Sequence, residues 1–215
     1  MRTILKTILK ILAKQVINRY QPVVIGITGS VGKSTAKEAI YAVLSRKFWV
    51  RKNEENYNNE FGVSLGILGI KPKDQAKKYG LINYIGYWLS AIGLSVWLAY
   101  GWSGQKYPKM LVLELAADRP GDIQYLVDIV QPQVGVVTAV GEVPVHVEFY
   151  ANPEAVAAEK GKLIEQLPAN GLAVLNYDDQ TVLDMKKRSK SKVITFGFAN
   201  PPAGGADVRV SDVAY

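Results

Sequence analysis

VVIGITGSVGKST, residues 23–35, is the stretch that decides the fold of this chain. Its β-favouring residues run into a glycine-rich turn, and a helix-like segment follows from about Thr35 to Leu44. Glycines let the turn curl so that backbone N–H groups point inward at an anion, and the helix N-terminus adds its positive dipole end. Lys33 is placed to hold outer phosphates, and the Ser34 hydroxyl is placed to ligate Mg²⁺. The stretch therefore predicts a strand, a loop and a helix that together cradle a phosphate group.

The loop departs from the strict phosphate-loop pattern at one position. The pattern G-x-x-x-x-G-K-[ST] requires glycine where this chain has Ile27. The alternative is an ordinary tight turn between a strand and a helix. Nucleotide binding is favoured because Gly-Lys-Ser at a strand-to-helix junction combines suitable backbone geometry with positive charge. The predicted nucleotide-binding residues of the loop are Thr28, Gly29, Ser30, Gly32, Lys33, Ser34 and Thr35.

Composition limits the classes of protein to consider. The 215 residues suffice for one large domain, and a hydrophobic content of 48% supports a core. The chain has no cysteine, which excludes disulfides and thiolate metal sites. Its net charge of +7 suits an anionic partner, whether a nucleotide, a phospholipid surface or a nucleic acid.

Residues 1–20 are predicted to form a basic amphipathic helix. Lys6, Lys10 and Lys14 recur every four residues, and apolar residues line another face. Lysines interrupt every candidate apolar core, so the segment is not a signal peptide. Two alternatives remain open: the helix lies on an anionic membrane surface, or its apolar stripe packs on the domain. Pro22 ends the helix and opens the first strand.

Residues 79–105 form an uncharged, apolar segment with five glycines. Its length suffices to span a bilayer. A single span conflicts with topology, because it would place the phosphate loop and Glu114, which belong to one sheet, on opposite sides of the membrane. A hairpin inserted into one leaflet and a packed helical lid remain alternatives, and the many Tyr and Trp residues suit a membrane interface.

Predicted strands alternate with predicted helices in the second half of the chain. The strands are 111–115, 134–138, 172–176 and 192–197, the helices are 120–130, 153–167 and 178–188, and a short strand is predicted earlier at 47–52. This alternation predicts an α/β fold with a mostly parallel sheet and helices on both faces. Ligands bind at the carboxyl ends of such strands. The phosphate loop, Glu114, the loop after Thr138 and Asn176 should therefore converge on one edge.

An asparagine cluster and a lone histidine are candidate polar groups. Asn56, Asn58 and Asn59 offer amide donors and acceptors, although their spacing alone favours a polar loop that caps the next helix. His146 is the only histidine of the chain. A lone histidine is more often structural than a ligand, but this one lies in a loop that follows a strand.

Lys160 is unusual because it lies on the apolar stripe of its predicted helix. It shares that stripe with Val156, Leu163, Ile164 and Leu167, whereas Glu159, Lys162, Glu165 and Gln166 are assigned to the polar side. Such a lysine either extends its amine to solvent or has a chemical role. Burial would lower its pKa and leave a neutral, nucleophilic amine.

Taken in order, these motifs resemble the central, ATP-binding domain of the Mur ligases, which is P-loop NTPase-like. The resemblance covers about residues 22–197, apart from the uncharged segment, and the asparagine stretch is similar to the branch that adds D-alanyl-D-alanine. Members of the family also lack the first glycine of the strict loop pattern. The matching stretches are TGSVGKST (28–35), NYNNEFGVSLGIL (56–68), LELAADRPGDI (113–123), HVEF (146–149), EKGKL (159–163) and LPANGLAVLNYDD (167–179).

The resemblance implies roles for single residues. It implies that Ser34 and Glu114 hold one Mg²⁺, that His146 helps to hold a second, and that Lys160 is carbamylated by CO₂ so that its new carboxylate supports the second metal. The implied catalytic residues are Lys33, Lys160 and His146. The resemblance also implies that Asn176 lies near the adenine and that the acceptor substrate lies near Asn56, Asn58 and Asn59.

The implied activity is amide-bond ligation in peptidoglycan precursor synthesis, with ATP and Mg²⁺ as cofactors. A substrate carboxylate attacks the γ-phosphate of ATP to give an acyl phosphate, and an amine then displaces phosphate. The implied substrates are a UDP-muramoyl-peptide and a D-alanyl-D-alanine-type amine, in the cytoplasm and without a nucleic-acid partner. Peripheral contact with the inner face of the membrane, through residues 1–20 and 79–105, is a further expectation.

The chain also departs from the family pattern. GEVPVH, 141–146, is longer than the corresponding turn of the family, which affects the placement of His146. We expect a basic helix at 1–21, followed by a central ATP-binding domain at 22–215 with an insertion at 79–105 and a truncated C-terminal end. Two other functions are considered: a non-catalytic, membrane-associated nucleotide-binding protein, and a P-loop kinase. The kinase explains neither the asparagine cluster nor Lys160.

Overall fold

A single parallel sheet organises the protein. The computed structural model describes residues 2–54, 57–71, 81–101, 106–141, 149–150, 152–198 and 205–210. Within these residues seven strands form one sheet in the order β2-β3-β1-β4-β5-β6-β7, and every neighbouring pair is parallel. The strands are β1 Val23–Thr28, β2 Val50–Lys52, β3 Met110–Glu114, β4 Val134–Val137, β5 Leu172–Asn176, β6 Lys192–Gly197 and β7 Val208–Arg209. The predicted α/β fold with a parallel sheet is confirmed.

Helices cover both faces of the sheet, as expected. The helices are α1 Arg2–Tyr20, α2 Lys33–Leu44, α3 Glu60–Leu68, α4 Leu81–Tyr100, α5 Asp122–Val130, α6 Pro153–Glu165 and α7 Gln180–Leu183, followed by a 3-10 helix, Asp184–Arg188. Strand residues alternate between two apolar clusters because successive side chains point to opposite faces. Val24 and Leu111 join the cluster that contains α1, α3 and α5, whereas Ile25 and Val112 pack against α2.

The N-terminal helix α1 is part of the core. Its apolar stripe is buried against α3, α4 and α5, at Leu9, Leu12, Ala13, Val16 and Ile17. Lys6 forms an ion pair with Glu60, and the Lys10 amine lies 3.8 Å from the centroid of the Tyr125 ring. Of the two alternatives for residues 1–20, packing of the apolar stripe on the domain is therefore the one that the structure shows.

The uncharged segment forms a single helix where it is described. Helix α4 spans 20 residues and packs on α1, so of the two alternatives left open the structure shows a packed helix and not a hairpin over residues 81–101. Only some of its residues are buried, at Ala91, Ser95, Leu98 and Ala99. Among the described residues no helix has the length and apolar character needed to cross a membrane.

Several element boundaries differ from their predictions for local reasons. Helix α5 begins at Asp122 and not at 120, because Gly121 precedes it with a φ of 95° and the Asp122 carboxylate accepts N–H bonds from Asp118 and Arg119. The helix predicted at 178–188 begins at Gln180, where Asp179 caps it, and it narrows to a 3-10 helix after one turn. Strands β2 and β3 are shifted or shortened by a few residues.

Candidate nucleotide-binding site

Hydrogen bonds to the two residues that follow β4 hold the glycine loop in place. The amide of Ser30 donates to the Ala139 carbonyl at 2.6 Å, and the Thr138 hydroxyl donates to the Val31 carbonyl at 2.6 Å. Gly29 has a φ of 146°, and a Cβ at this position would lie 2.1 Å from the Thr138 Oγ1 atom. Glycine is therefore required at position 29 by both backbone conformation and space.

The loop leaves polar groups available for a ligand. Helix α2 begins at Lys33, directly after Gly32, and no side chain caps its first turn. The buried hydroxyls of Thr28 and Ser30 have no hydrogen-bond partner within the described residues. The Lys33 amine donates to the Ser30 carbonyl at 3.2 Å, so its positive charge lies over the loop. An anion bound here would meet helix N–H groups, a lysine and two hydroxyls.

Ser34 and Glu114 meet beside the loop. The Ser34 Oγ atom donates to Glu114 Oε2 at 2.8 Å, and the Asn58 amide donates to Glu114 Oε1 at 2.9 Å. Glu114 ends β3, pairs in register with Ile27 of β1, and is buried. The hydroxyl and the carboxylate are hard oxygen donors of the kind that Mg²⁺ prefers. The described residues contain no cluster of three or more His, Asp or Glu side chains that could hold a metal by itself.

Two further residues hold Glu114 in place, and sequence reasoning missed both. The buried Lys37 amine lies 3.7 Å from Glu114 Oε2. Asn53 is also buried, and its side chain exchanges hydrogen bonds with the backbone N–H and C=O of Glu114 at 2.9 and 3.1 Å. Lys37 lies four residues after Lys33, on the same side of α2, and only this spacing could have linked it to the site from the sequence.

Lys160 is buried on α6 as the apolar stripe predicted. Val156, Leu163, Ile164 and Leu167 of that stripe are buried with it. Burial and, to a smaller extent, the neighbouring Lys33 ammonium lower the pKa of Lys160 to about 8, while Asp118 and Glu159 act in the opposite direction. Lys33, at the start of α2, is the cation that contributes to this lowering. At pH 7 roughly a tenth of the Lys160 amine is therefore neutral, far more than for an ordinary lysine.

Glu159 is a correction to the predicted polar side of α6. It is buried, and its carboxylate accepts a hydrogen bond from the backbone N–H of Ile123 at 2.9 Å. Its other oxygen pairs with the Lys162 amine at 2.6 Å. The carboxylate therefore satisfies the first turn of α5, which is a tertiary contact that helical periodicity does not contain.

Asn176 lies at the same edge of the sheet as the loop but two strands away. The register Thr28↔Val137 and Val137↔Leu175 places it one residue beyond the end of β1, about 10 Å to the side. Its side-chain oxygen accepts the Asp178 N–H at 2.9 Å. Next to it, the Asp179 carboxylate accepts N–H groups of Val140 and Gly141 and so ties the loops after β4 and β5 together.

The asparagines of the cluster have different hydrogen-bond partners. Asn58 reaches Glu114, whereas the Asn59 side chain accepts the backbone N–H groups of Phe61 and Gly62 and caps α3. The capping that spacing favoured is thus present at Asn59. Asn56 and His146 lie outside the described residues. The structure brings Lys33, Ser34, Asn58, Glu114 and Lys160 around the loop and places Asn176 at a distance along the same edge.

A glycine loop at a strand-to-helix junction, with a hydroxyl–carboxylate pair at its foot, defines a P-loop-type phosphate-binding α/β domain. Residues 98–215 match the family described as the Mur ligase middle domain. The chain belongs to this family.

Similar proteins of the family are much longer than this chain. UDP-N-acetylmuramoyl-tripeptide--D-alanyl-D-alanine ligase from Synechocystis is 30% identical over 181 residues, which are 84% of this chain and 32% of that protein. The ligase of the same name from Bacillus subtilis is 27% identical over 97% of this chain and 36% of its own length. The chain thus spans about a third of these relatives.

Solved structures agree with this assignment. The crystal structure of MurF ligase from Thermotoga maritima in complex with ADP has a TM-score of 0.70 and 30% identity, and the match covers 98% of this chain and 39% of that one. A MurF structure from Acinetobacter baumannii has a TM-score of 0.65 at 23% identity, over 88% and 34% of the two chains, and shares the fold.

Proposed function

We propose that this chain binds ATP and serves as the ATP-binding part of an amide ligase of peptidoglycan precursor synthesis. The observation that carries the proposal is the Ser34–Glu114 contact of 2.8 Å at the foot of the glycine loop. A hydroxyl and a buried carboxylate placed together beside a phosphate cradle suit a nucleotide with its divalent cation better than an isolated anion. The similarity to relatives named as D-alanyl-D-alanine-adding ligases supports the same reading.

In this proposal the loop residues bind and orient the triphosphate. The N–H groups at the start of α2 and the hydroxyls of Thr28 and Ser30 donate to phosphate oxygens, and Lys33 neutralises charge on the outer phosphates. Asn176 lies about 10 Å away along the edge, which suits the reach from phosphates to adenine.

Ser34 and Glu114 would hold Mg²⁺, which when bound polarises the transferring phosphoryl group and stabilises its charge. The Lys37 amine lies 3.7 Å from one oxygen of Glu114 and Asn58 donates to the other, so the carboxylate is oriented before any ligand arrives. Lys160 would supply a neutral amine that CO₂ converts to a carbamate with loss of one proton, and this carboxylate, together with His146, would hold a second cation.

The proposed reaction has two steps. A carboxylate oxygen of the UDP-muramoyl-peptide forms a bond to the γ-phosphorus as the bond to ADP breaks. The amine of a D-alanyl-D-alanine-type substrate then attacks the acyl carbon, loses a proton and expels phosphate. Asn56, Asn58 and Asn59 are proposed to lie toward the peptide substrate. Location in the cytoplasm belongs to the same proposal.

Calorimetry with ATP and Mg²⁺ tests the nucleotide site directly. We expect binding by the chain, loss of binding in Lys33→Ala, and unchanged binding in the control Lys190→Ala, whose exposed side chain lies in the turn before β6. A folded chain that binds no ATP, or equal binding by Lys33→Ala, would contradict the proposal.

A second measurement separates the ligase from its alternative, a non-catalytic membrane-associated nucleotide-binding protein. The complete product of the reading frame is assayed for ADP, phosphate and amide with UDP-muramoyl-tripeptide and D-alanyl-D-alanine. The ligase forms all three, and Lys160→Ala loses activity that short carboxylic acids partly restore. The retained Glu114 and buried Lys160 favour the ligase, and nucleotide binding without amide formation would favour the alternative.

A further inference from the structure

The edge of the sheet opposite the nucleotide site carries exposed aromatic and basic side chains. Strands β1, β2 and β3 begin at one level, because Met110 is in register with both Val23 and Val50. The backbone N–H of Lys109 donates to the Trp49 carbonyl at 2.9 Å, and the Val23 N–H donates to the Lys109 carbonyl at 2.9 Å. Trp49 and Lys109 are therefore side by side where these strands start.

The C-terminal end of α4 lies at the same edge. The Arg19 guanidinium donates to the carbonyls of Leu98 and Gly101, and the Tyr20 hydroxyl donates to the Leu98 carbonyl at 3.2 Å. The Tyr20 ring stacks on Tyr107 with centroids 4.6 Å apart. Since Tyr20 ends α1 only three residues before β1, these contacts hold the last turn of α4, including Tyr100, beside the strand starts.

This surface, which we call the aromatic–basic edge, consists of Phe48, Trp49, Tyr100, Arg46, Lys106 and Lys109. The three aromatic side chains are 40%, 50% and 62% exposed. The three cations are exposed, and none of them forms an ion pair with a described residue. Large aromatic side chains grouped on a surface mark an interaction site.

The two halves of the chain differ in net charge, and the half that forms this edge is the basic one. Residues 1–113 contain seventeen Lys and Arg against five Asp and Glu, whereas residues 114–215 contain nine against fourteen. Helix α4 adds a face without any charged residue, on which Ile85 and Leu89 are exposed. The half of the chain that forms this edge is therefore cationic and locally apolar, and the other half is anionic.

We propose that the aromatic–basic edge docks on an anionic lipid bilayer. Trp and Tyr side chains favour the level of the lipid headgroups, and Lys and Arg favour anionic lipid phosphates. The aromatic side chains of the edge therefore match the headgroup level, and its cations match the lipid phosphates. Docking here leaves the carboxyl ends of the strands, with the glycine loop, facing water about one strand length away.

The residues that meet the membrane in this proposal differ from the segments 1–20 and 79–105 that were expected from the sequence, with only the end of α4 in common. The apolar stripe of α1 is buried in the core and takes no part. Contact comes instead from the connection between α2 and β2, the end of α4, and the residues that lead into β3. The proposal is independent of ligase activity, since none of the edge residues belongs to the nucleotide site.

Co-sedimentation with vesicles tests the proposal. The 215-residue chain is mixed with vesicles of equal parts phosphatidylglycerol and phosphatidylcholine, and separately with phosphatidylcholine alone. We expect binding to the anionic vesicles that weakens in high salt, and little binding to the neutral ones. Each neutralised cation should lower partition about fivefold, so Arg46→Gln with Lys109→Gln should lower it about 25-fold.

Matched variants separate this edge from general charge and hydrophobicity. Trp49→Ser with Tyr100→Ser tests the aromatic part, and the controls are Phe198→Ser and the pair Lys186→Gln with Lys190→Gln, all exposed and elsewhere on the chain. We expect the controls to bind vesicles like the unmodified chain. ATP calorimetry on the edge variants verifies their fold, because the nucleotide site is at the opposite edge.

Three results would overturn the proposal. They are equal binding to neutral and anionic vesicles, equal loss in edge and control variants, and no vesicle binding by a chain that binds ATP. If the edge variants instead abolish self-association in sedimentation velocity while vesicles are not bound, the edge contacts a second copy of the chain and the proposal is wrong.

Discussion

Replacing Lys160 by methionine should stabilise the protein at neutral pH. Burial lowers the pKa of this lysine to about 8 in the folded state, whereas an unperturbed lysine has 10.5. Below pH 8 the folded protein therefore contains a buried, charged ammonium, which is unfavourable because burial removes its hydration. Between the two values the unfolded chain binds more protons than the folded one, so the free energy of unfolding rises with pH through this window. The difference corresponds to about 3 kcal/mol.

Urea unfolding of the unmodified chain and of Lys160→Met, in buffer free of CO₂, measures this quantity. Methionine has a similar shape without the charge, and every other titrating group is common to both proteins. We expect the variant to be more stable by about 3 kcal/mol at about pH 7, with the difference vanishing near the upper end of the window. A difference that stays constant from neutral to alkaline pH would show that Lys160 is not held in a desolvating site.

Three other substitutions test the remaining parts of the site. Glu114→Gln keeps the shape of the side chain and should weaken ATP–Mg²⁺ binding at least about tenfold in calorimetry. It should also lower the urea midpoint, because the buried Lys37 ammonium loses the charge of Glu114. Gly29→Ala should destabilise the fold by more than about 1 kcal/mol and abolish nucleotide binding, because its Cβ meets Thr138, whereas Gly141→Ala has open space and should retain binding. Asp179→Ala removes the acceptor of three backbone N–H groups and should cost about 2–4 kcal/mol in urea unfolding, with Asp179→Asn as the milder control.

Local patterns in the sequence were sufficient for the sheet and the loop. The stretch 23–35 combines strand propensity, glycines and a helix start, and all three are properties of neighbouring residues. The alternation of apolar strands and amphipathic helices after Met110 predicted β3 to β6 but not β7, which has two residues and carries no pattern of its own. Lys160 was identified because its position conflicts with the stripe around it.

Contacts between distant segments were beyond such patterns. Periodicity placed Glu159 on the polar side of α6, but the N-terminus of α5 draws its carboxylate inward. Lys37 looks like a surface lysine of a basic chain until β3 brings Glu114 to it. The fate of α1 was open for the same reason, because an amphipathic helix fits a membrane and a protein core equally well until the opposing surface is known.

The central position of β1 has a consequence for how this chain folds. Val23 pairs with Met110, and Ile25 pairs with Val134, so the first strand must wait for partners made much later. At ribosomal rates of about 20 residues per second, more than about four seconds separate the synthesis of β1 from that of β3. During that interval α4, which packs on α1, is made before the sheet is complete. Because β1 pairs only with segments distant in the chain, we expect folding to be slow.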